Sequence, residues 1–290
     1  MGWERSRAAV PRFEFLDEAG STNDELRAAA TGEDAAAWPH GSVIVTDNQT
    51  RGRGRLGRTW LAPTGKTLAI SLLLRPELPG GRVFPPDAFG WIPLMAGAAM
   101  TEAVRAAVDA AESVVAASDP EYDADDRSGG VSVELKWPND VLVSDYKICG
   151  ILSELVQGVA DEPPAVVVGA GLNLTLDEHD LPTLTSTSLL LATGVRPDGD
   201  AVLADYLGRI LAMFDDFCLA GADAAVAGID RRVTALCGTI GAEVRVELPG
   251  DRELLGLAER LDADGRLVVI DRENGEPWSV AAGDVTHLRY

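Results

Sequence analysis

Cysteine and histidine are scarce in this chain, and their positions exclude two common kinds of site. Cys149, Cys218 and Cys237 are odd in number, lie far apart and form no CxxC pair. The histidines, His40, His179 and His287, are isolated from one another as well. We therefore expect neither a disulfide framework nor a zinc site.

Long apolar runs are also missing. The longest apolar stretches, within residues 68–74 and 165–176, fall short of the roughly 18 residues that a membrane helix needs. Residues 1–15 alternate charged and apolar side chains, whereas a secretory signal has a continuous apolar region. We therefore expect a cytoplasmic protein with no membrane partner.

Basic charge is in short supply. The 290 residues contain 25 Lys and Arg against 46 Asp and Glu, a net charge of −21 at pH 7 that repels nucleic acid in general. Lysine occurs only at Lys66, Lys136 and Lys147. Two interpretations stay open: the composition merely favours arginine, or these positions need a compact ammonium where a planar guanidinium would not fit.

Apolar periodicity predicts an α+β chain with two domains. Strands are predicted at residues 41–46, 67–74, 131–137, 141–143, 148–156 and 165–174, and their close spacing indicates a mainly antiparallel or mixed sheet. Helices are predicted at residues 93–115, packing by one face, at 201–219, and in a shorter segment ending near 233.

The acidic residues 118–130 predict a mobile surface loop. After Cys237, short strands with glycine turns predict a small all-β barrel or sandwich, so we place the domains at 1–233 and 234–290.

Residues 51–58 (RGRGRLGR), here called the arginine loop, contain four arginines and three glycines. Glycines let a ligand approach the backbone, and guanidinium groups bind phosphate or carboxylate oxygens in pairs. Because the like charges repel one another, we expect the loop to bind a small anion, and a polyphosphate fits best. An arginine-rich nucleic-acid contact and a solvated loop are the alternatives, although the first lacks interleaved aromatic residues.

Two of the three lysines flank a predicted hairpin. KWPND at residues 136–140 ends one strand, and KICGIL at residues 147–152 begins a later one. Strict alternation along the second strand places Lys147 and Cys149 on one face and Gly150 on the other, where it leaves room for a ligand. An ammonium at Lys147 would neutralise a reacting carboxylate or phosphate.

Three further segments have simple interpretations. Asn139 and Asp140 are typical turn residues, although an Asp beside a polyphosphate is also a reasonable Mg²⁺ ligand. Thr22 and Glu25 have the spacing of a capping box, which predicts a helix N-terminus. Residues 169–173 (GAGLN) continue a strand with no helix after them, so a dinucleotide fingerprint is excluded.

Together, these motifs resemble those of the biotin protein ligase family. Four of them occur in that family's order: Ser21-Thr22-Asn23, Gln49 with RGRGRLGRTW at residues 51–60, KWPND with KICGIL, and GAGLN. Residues 282–285 (AGDV) also resemble that family's small C-terminal domain. The resemblance implies a class II aminoacyl-tRNA synthetase-like catalytic domain, with a mixed sheet covered by helices, followed by an SH3-like β-barrel. This second domain is expected either to support the catalytic sheet or to dock a partner.

The resemblance also implies a reaction with two steps. The carboxylate of biotin attacks the α-phosphate of ATP, with Mg²⁺, to give biotinyl-5′-AMP and pyrophosphate. A lysine on the biotin carboxyl carrier domain of a biotin-dependent carboxylase then displaces AMP. No protein nucleophile is needed.

The family's site residues carry over to matching positions. Those implied at biotin are Ser21, Thr22, Asn23, Gln49, Gly52, Arg53, Gly150, Gly169 and Gly171. Those implied on the ATP side are Arg55, Arg58, Trp60, Asn139, Lys147 and Asn173, with Lys147 and Arg55 catalytic and Asp140 as the Mg²⁺ ligand. Trp60 is interpreted as a cover for adenine or biotin, or as a core residue.

Two other functions are alternatives to this one. A lipoate or octanoate protein ligase shares the implied fold and two-step logic, but the KWPND-to-KxxGIL block favours biotin. A non-catalytic biotin-responsive regulator would need a DNA-binding module, and the roughly 20 residues before Ser21 are too few for a winged helix-turn-helix, so no DNA partner is expected. The sequence leaves open which carrier is modified and whether a homodimer forms.

Overall fold

The computed structural model describes residues 2–60, 62–118, 131–157, 163–248, 252–281 and 283–288. The acidic segment predicted as a mobile loop lies outside them, apart from Ser118. The helices are α1 (Glu4–Ala9), α2 (Thr22–Thr31), α3 (Trp91–Ser118), α4 (Leu189–Thr193), α5 (Gly199–Leu219) and α6 (Ile229–Leu236). The strands are β1 (Phe13–Leu16), β2 (Val43–Thr46), β3 (Gly52–Arg53), β4 (Thr59–Trp60), β5 (Thr67–Leu74), β6 (Val133–Lys136), β7 (Asp140–Val143), β8 (Tyr146–Val156), β9 (Ala165–Asn173), β10 (Glu243–Leu248), β11 (Arg252–Leu261), β12 (Leu267–Asp271), β13 (Pro277–Val280) and β14 (Asp284–His287).

Seven strands form a mixed sheet in the order β1-β2-β5-β9-β8-β7-β6. Strands β1 and β2 are parallel because α2 connects them across one face, and the remaining neighbours are antiparallel. The predicted mixed sheet is therefore confirmed. Strand β1, which has only four half-buried residues, was not predicted.

The two faces of the sheet are covered unequally. Helices α3 and α5 pack on one face, in the main core with residues such as Val43 and Ile70. Helix α2 packs on the other face, where Leu26 joins a smaller apolar cluster with Ile44 and Leu73. Because α2 covers only one end of its face, the rest of that face is open for a ligand.

Helix α3 is longer than predicted, and its first half is buried on nearly every position from Trp91 to Thr101. The prediction that it packs by one face is therefore wrong for this half. The physical reason is that the C-terminal domain covers a further side, where the Trp91 indole N–H donates to the Ala263 carbonyl oxygen at 2.7 Å.

The predicted all-β domain is a five-stranded antiparallel sheet in the order β13-β12-β11-β10-β14. Helix α6, which precedes it, continues to Leu236, across the predicted boundary at residue 233. The domain bounds 1–233 and 234–290 stay a prediction. Among the described residues, no helix is both long and apolar enough to cross a membrane.

Candidate active site

A cavity of about 780 Å³ opens on the sheet face that α2 leaves uncovered. Its lining includes the floor strands β5, β7, β8 and β9, the arginine loop, residues 182–186 and strand β14. All of the site residues predicted from the sequence line it, except Gly52. Gly52 lies just behind the wall, where an added Cβ would come within 2.4 Å of Gln49 Nε2.

Two neighbouring rows of paired residues lie on this face of the sheet, beneath the cavity and the start of α2. The first row is Ser71, Gly169 and Leu152, and the second is Ala69, Gly171, Gly150 and Asp140. The rows are two residues apart along each strand, or about 7 Å. Small residues occupy most of both rows, so a ligand can lie close to the sheet backbone.

The first row carries an uncharged hydrogen-bond network. Gln49 Oε1 accepts the Thr22 backbone N–H at 2.9 Å and its hydroxyl at 3.2 Å. The Ser71 hydroxyl donates to Asn23 Oδ1 at 2.6 Å and lies 2.8 Å from the Thr22 hydroxyl. This end of the cavity therefore offers several oriented donors and acceptors to a neutral polar group.

The start of α2 differs from the predicted capping box. Ser21 is the N-cap residue, but its side chain makes no capping hydrogen bond, and Thr22 is already helical. Gln49 takes that role by accepting the Thr22 N–H. The capping-box prediction is wrong because the acceptor comes from a distant loop, which leaves the Thr22 side chain in the cavity network.

The second row carries the charged groups. Lys147 Nζ donates to Asp140 Oδ1 at 2.7 Å. Arg55 donates to Asn139 Oδ1 at 2.6 Å and to the Gly283 carbonyl oxygen at 3.3 Å. Burial lowers the pKa of Arg55, although Asp140 and Asp284 attract the guanidinium from beyond ion-pair distance. Arg55 is thus oriented by two neutral acceptors and has no direct carboxylate partner among the described residues.

The predicted alternation along β8 is wrong at its start. Leu142 pairs with Lys147 and Val141 pairs with Cys149, so a bulge at Ile148 interrupts the ladder. Lys147 therefore shares a face with Gly150, whose added Cβ would lie 3.0 Å from Lys147 Nζ. Cys149 faces the core instead, where burial raises the pKa of its thiol to about 12.

Two other arginines of the loop form ion pairs with acidic residues. Arg53 makes a two-pronged ion pair with Asp24, with distances of 2.5 and 2.8 Å, and Arg58 pairs with Asp284 of strand β14. The mutual repulsion expected from the sequence is therefore reduced. Asp24 and Asp284 were not predicted as partners of these arginines, because each lies far from the arginine loop in the sequence.

Trp60 lies in the cavity rather than in the main core. Its indole ring covers Gly171, where an added Cβ would come within 2.7 Å of Trp60 Cε2. At the same end, Asn173 Nδ2 donates to the Thr187 carbonyl oxygen at 2.9 Å and so anchors the segment that follows β9. Trp60 is therefore placed to contact a flat ligand group.

Asp140 is the candidate metal ligand from the sequence. Among the described residues, no three His, Cys, Asp or Glu side chains form a group suited to a metal ion. A Mg²⁺ ion bound mainly by phosphates and water needs only one or two carboxylates. Asp140, beside Lys147 on the charged row, could supply the single carboxylate of such a phosphate-bound Mg²⁺ ion.

Two family profiles match separate parts of the chain. The profile of the Biotin/lipoate A/B protein ligase family matches residues 20–173, and that of the Biotin protein ligase C terminal domain matches residues 239–288. The first match covers more than half of the chain and includes all of the predicted site residues.

Known proteins resemble the chain over most of its length. The Biotin--[acetyl-CoA-carboxylase] ligase of Mycobacterium tuberculosis is 35% identical over 283 residues, which cover 96% of this chain and 90% of that protein. The Bifunctional ligase/repressor BirA of Escherichia coli is 27% identical, over 82% of this chain and 64% of that protein. The fold matches the biotin protein ligase of Aquifex aeolicus solved with biotin and ATP, with a TM-score of 0.69, 24% identity and coverage of 96% and 100%. The chain belongs to the biotin protein ligases of the Biotin/lipoate A/B protein ligase family.

Proposed function

We propose that this enzyme activates biotin with ATP and transfers it to a lysine of a biotin carboxyl carrier domain. One observation carries the proposal: the cavity has a neutral hydrogen-bonding row and a charged row only about 7 Å apart. Biotin has the same division, since its cyclic urea is neutral and its carboxylate is charged. The name of the Mycobacterium tuberculosis relative supports the same substrate and partner class.

The neutral row is suited to the cyclic urea. That group has two N–H donors and one carbonyl acceptor, and the Thr22 hydroxyl and the Gln49 amide, which both line the cavity, offer both kinds of partner. Gly169 and Gly171 have no side chains, and the Asn23 amide and the Trp60 indole lie over them instead. A simple acyl chain would use none of these polar groups, which favours biotin over lipoate or octanoate.

The charged row is suited to the first chemical step. A biotin carboxylate oxygen attacks the α-phosphorus of ATP, and the bond to pyrophosphate breaks with its electron pair. Two anions must meet for this step, and Lys147 and Arg55 neutralise them. Positioning and charge neutralisation therefore supply the rate enhancement.

The second step needs only a free amine from the partner. The carrier lysine attacks the acyl carbon, and AMP leaves with its electron pair. Cys149 is not a nucleophile here because its thiol is buried and its pKa is raised to about 12.

Mg²⁺ belongs to this proposal as a companion of ATP. It would be bound by the phosphates and by Asp140, and it supplies charge neutralisation when bound. A cytoplasmic location remains a prediction from the sequence, and whether a homodimer forms stays open.

The test is exchange of labelled pyrophosphate into ATP by the purified protein. We expect exchange only with both biotin and Mg²⁺, followed by label transfer from biotin to an apo-carrier domain. A carrier with its target lysine replaced by arginine is the control and should stay unlabelled. Equal exchange with lipoate or octanoate would contradict the biotin assignment.

A further inference from the structure

Glu154 lies beside the neutral end of the cavity without lining it. Its two carboxylate oxygens contact different partners. Oε2 accepts from Asn23 Nδ2 at 2.7 Å, whereas Oε1 lies 3.3 Å from the Arg53 guanidinium and 3.5 Å from that of Arg27. Arg27 and Arg53 also pair with Asp24, so four side chains form one ion cluster.

The contact with Asn23 fixes which way its amide points. Nδ2 donates to Glu154 and to the Leu152 carbonyl oxygen, so Oδ1 faces the Ser71 hydroxyl. Ser71 has a single proton, and donating it to Asn23 leaves its oxygen free to accept. One carboxylate outside the cavity, together with the Leu152 carbonyl oxygen, thus sets the direction of the hydrogen bond between Ser71 and Asn23.

We propose that Glu154 is a positioning residue that sets the affinity of the cavity for the polar head of its substrate, through the Asn23 amide. The inference rests on the proposed function and names a determinant of its specificity. Glu154 contacts neither ATP-side residues nor the Lys147 pair, so its effect is confined to the binding of the neutral head group.

Glu154→Gln is the informative substitution because glutamine keeps the shape but has one oxygen instead of two. That oxygen will face the arginines, since bonds to charged donors are the stronger ones. The glutamine NH₂ then meets Asn23 Nδ2, so that two donors face each other. Asn23 Nδ2 keeps only the Leu152 carbonyl oxygen, at 3.3 Å, as an acceptor, and the amide is no longer held in one orientation beside Ser71.

The experiment is calorimetric titration of biotin into the full-length protein, combined with pyrophosphate exchange. We expect Glu154→Gln to raise the biotin Kd about tenfold. The exchange kcat at saturating biotin and the KM for ATP should stay within about twofold of wild type, because the charged row is untouched. Glu102→Gln is the matched control: it removes a carboxylate paired with Arg209 and Arg232, remote from the cavity, and should leave the biotin Kd unchanged.

Two results would overturn the inference. One is a biotin Kd for Glu154→Gln equal to that of Glu102→Gln. The other is an equal loss of affinity in Asp24→Asn, which releases Arg53 but keeps the Asn23 contact, because the arginine would then transmit the effect. If the wild-type protein itself binds no biotin, the proposed function fails instead.

Discussion

Lys147 and Asp140 meet across the β7–β8 ladder, and the bulge at Ile148 is what brings them together. In a regular ladder Lys147 would face the opposite side of the sheet from Gly150. The bulge turns the ammonium into the cavity, 2.7 Å from the carboxylate. Asp140 therefore orients the cation that the proposed reaction needs.

Replacing Lys147 with alanine removes that cation. We expect biotin adenylation to fall by about 10²-fold or more, because a charge is lost where two anions must meet. Lys147→Arg should recover little, since the planar guanidinium is larger than the ammonium. The measurement is the single-turnover rate of biotinyl-5′-AMP formation.

Lys66→Ala is the matched control, because Lys66 also pairs with acids, Asp177 and Asp180, but does not line the cavity. Its adenylation rate should equal that of wild type. A near-normal rate for Lys147→Ala would remove Lys147 from the mechanism.

Arg55 and Arg58 belong to the same loop but differ in their ion pairing. Arg55 is half-buried without a carboxylate partner among the described residues, whereas Arg58 is exposed and pairs with Asp284. We expect Arg55→Gln to release biotinyl-5′-AMP faster, since a lost bond to a charged group is worth about 1.5 to 3 kcal/mol. Arg58→Gln should change the release rate less. An unchanged intermediate half-life in Arg55→Gln would contradict this role.

Local sequence patterns predicted most of the mixed sheet. Strand β5 occupies the predicted residues 67–74, because an unbroken apolar run between turn residues can only be buried as a strand or a helix, and eight residues favour a strand. Nearly all of the site residues that the motifs predicted line the cavity, since each motif is continuous in sequence.

What the sequence did not predict depends on distant contacts. The Arg53–Asp24 and Arg58–Asp284 pairs join residues 29 and 226 positions apart, and no local pattern encodes them. The bulge at Ile148 is equally hidden, because alternation along a strand assumes a regular ladder. Glu154 was missed for the same reason: its importance comes from Asn23, 131 positions away.

His40 gives the protein a pH-dependent stability. Its ring stacks on Phe214, and Nδ1 accepts the Arg75 backbone N–H at 3.1 Å. Burial lowers the pKa of His40, although the Asp215 carboxylate opposes that shift. As the pH falls below about 6.5, His40 is protonated in the unfolded chain before it is protonated in the folded protein. The contribution of His40 to the free energy of unfolding is therefore complete above that pH and decreases as the pH falls to the lowered pKa of the folded state.

The corresponding variant is His40→Gln, which keeps an acceptor for Arg75 but does not titrate. We expect the fall in Tm between pH 7.5 and pH 5.5 to be smaller in this variant than in wild type. His179→Gln is the control, because His179 is exposed, and it should show the wild-type pH dependence. Identical pH profiles for all three proteins would show that His40 is not the titrating group.

Gly265 joins the two domains at a turn of the C-terminal sheet. Its carbonyl oxygen accepts the Trp137 indole N–H at 3.1 Å, and its φ is +77°. An added Cβ would come within 2.9 Å of Leu94 Cδ1 and 3.3 Å of Trp91 Cδ2. Gly265→Ala therefore combines a strained backbone with a clash inside the domain interface.

Gly275 allows these two effects to be separated. Its φ is +73°, but an added Cβ would meet nothing within 4 Å. We expect Gly275→Ala to cost about 1 to 2 kcal/mol in the free energy of unfolding, from backbone strain alone. Gly265→Ala should cost about 1 to 3 kcal/mol more, because overpacking displaces Trp91 and Leu94. Urea denaturation followed by tryptophan fluorescence measures the free energy of unfolding of both variants. Equal losses would show that the turn at Gly265 is not in tight contact with α3 in solution.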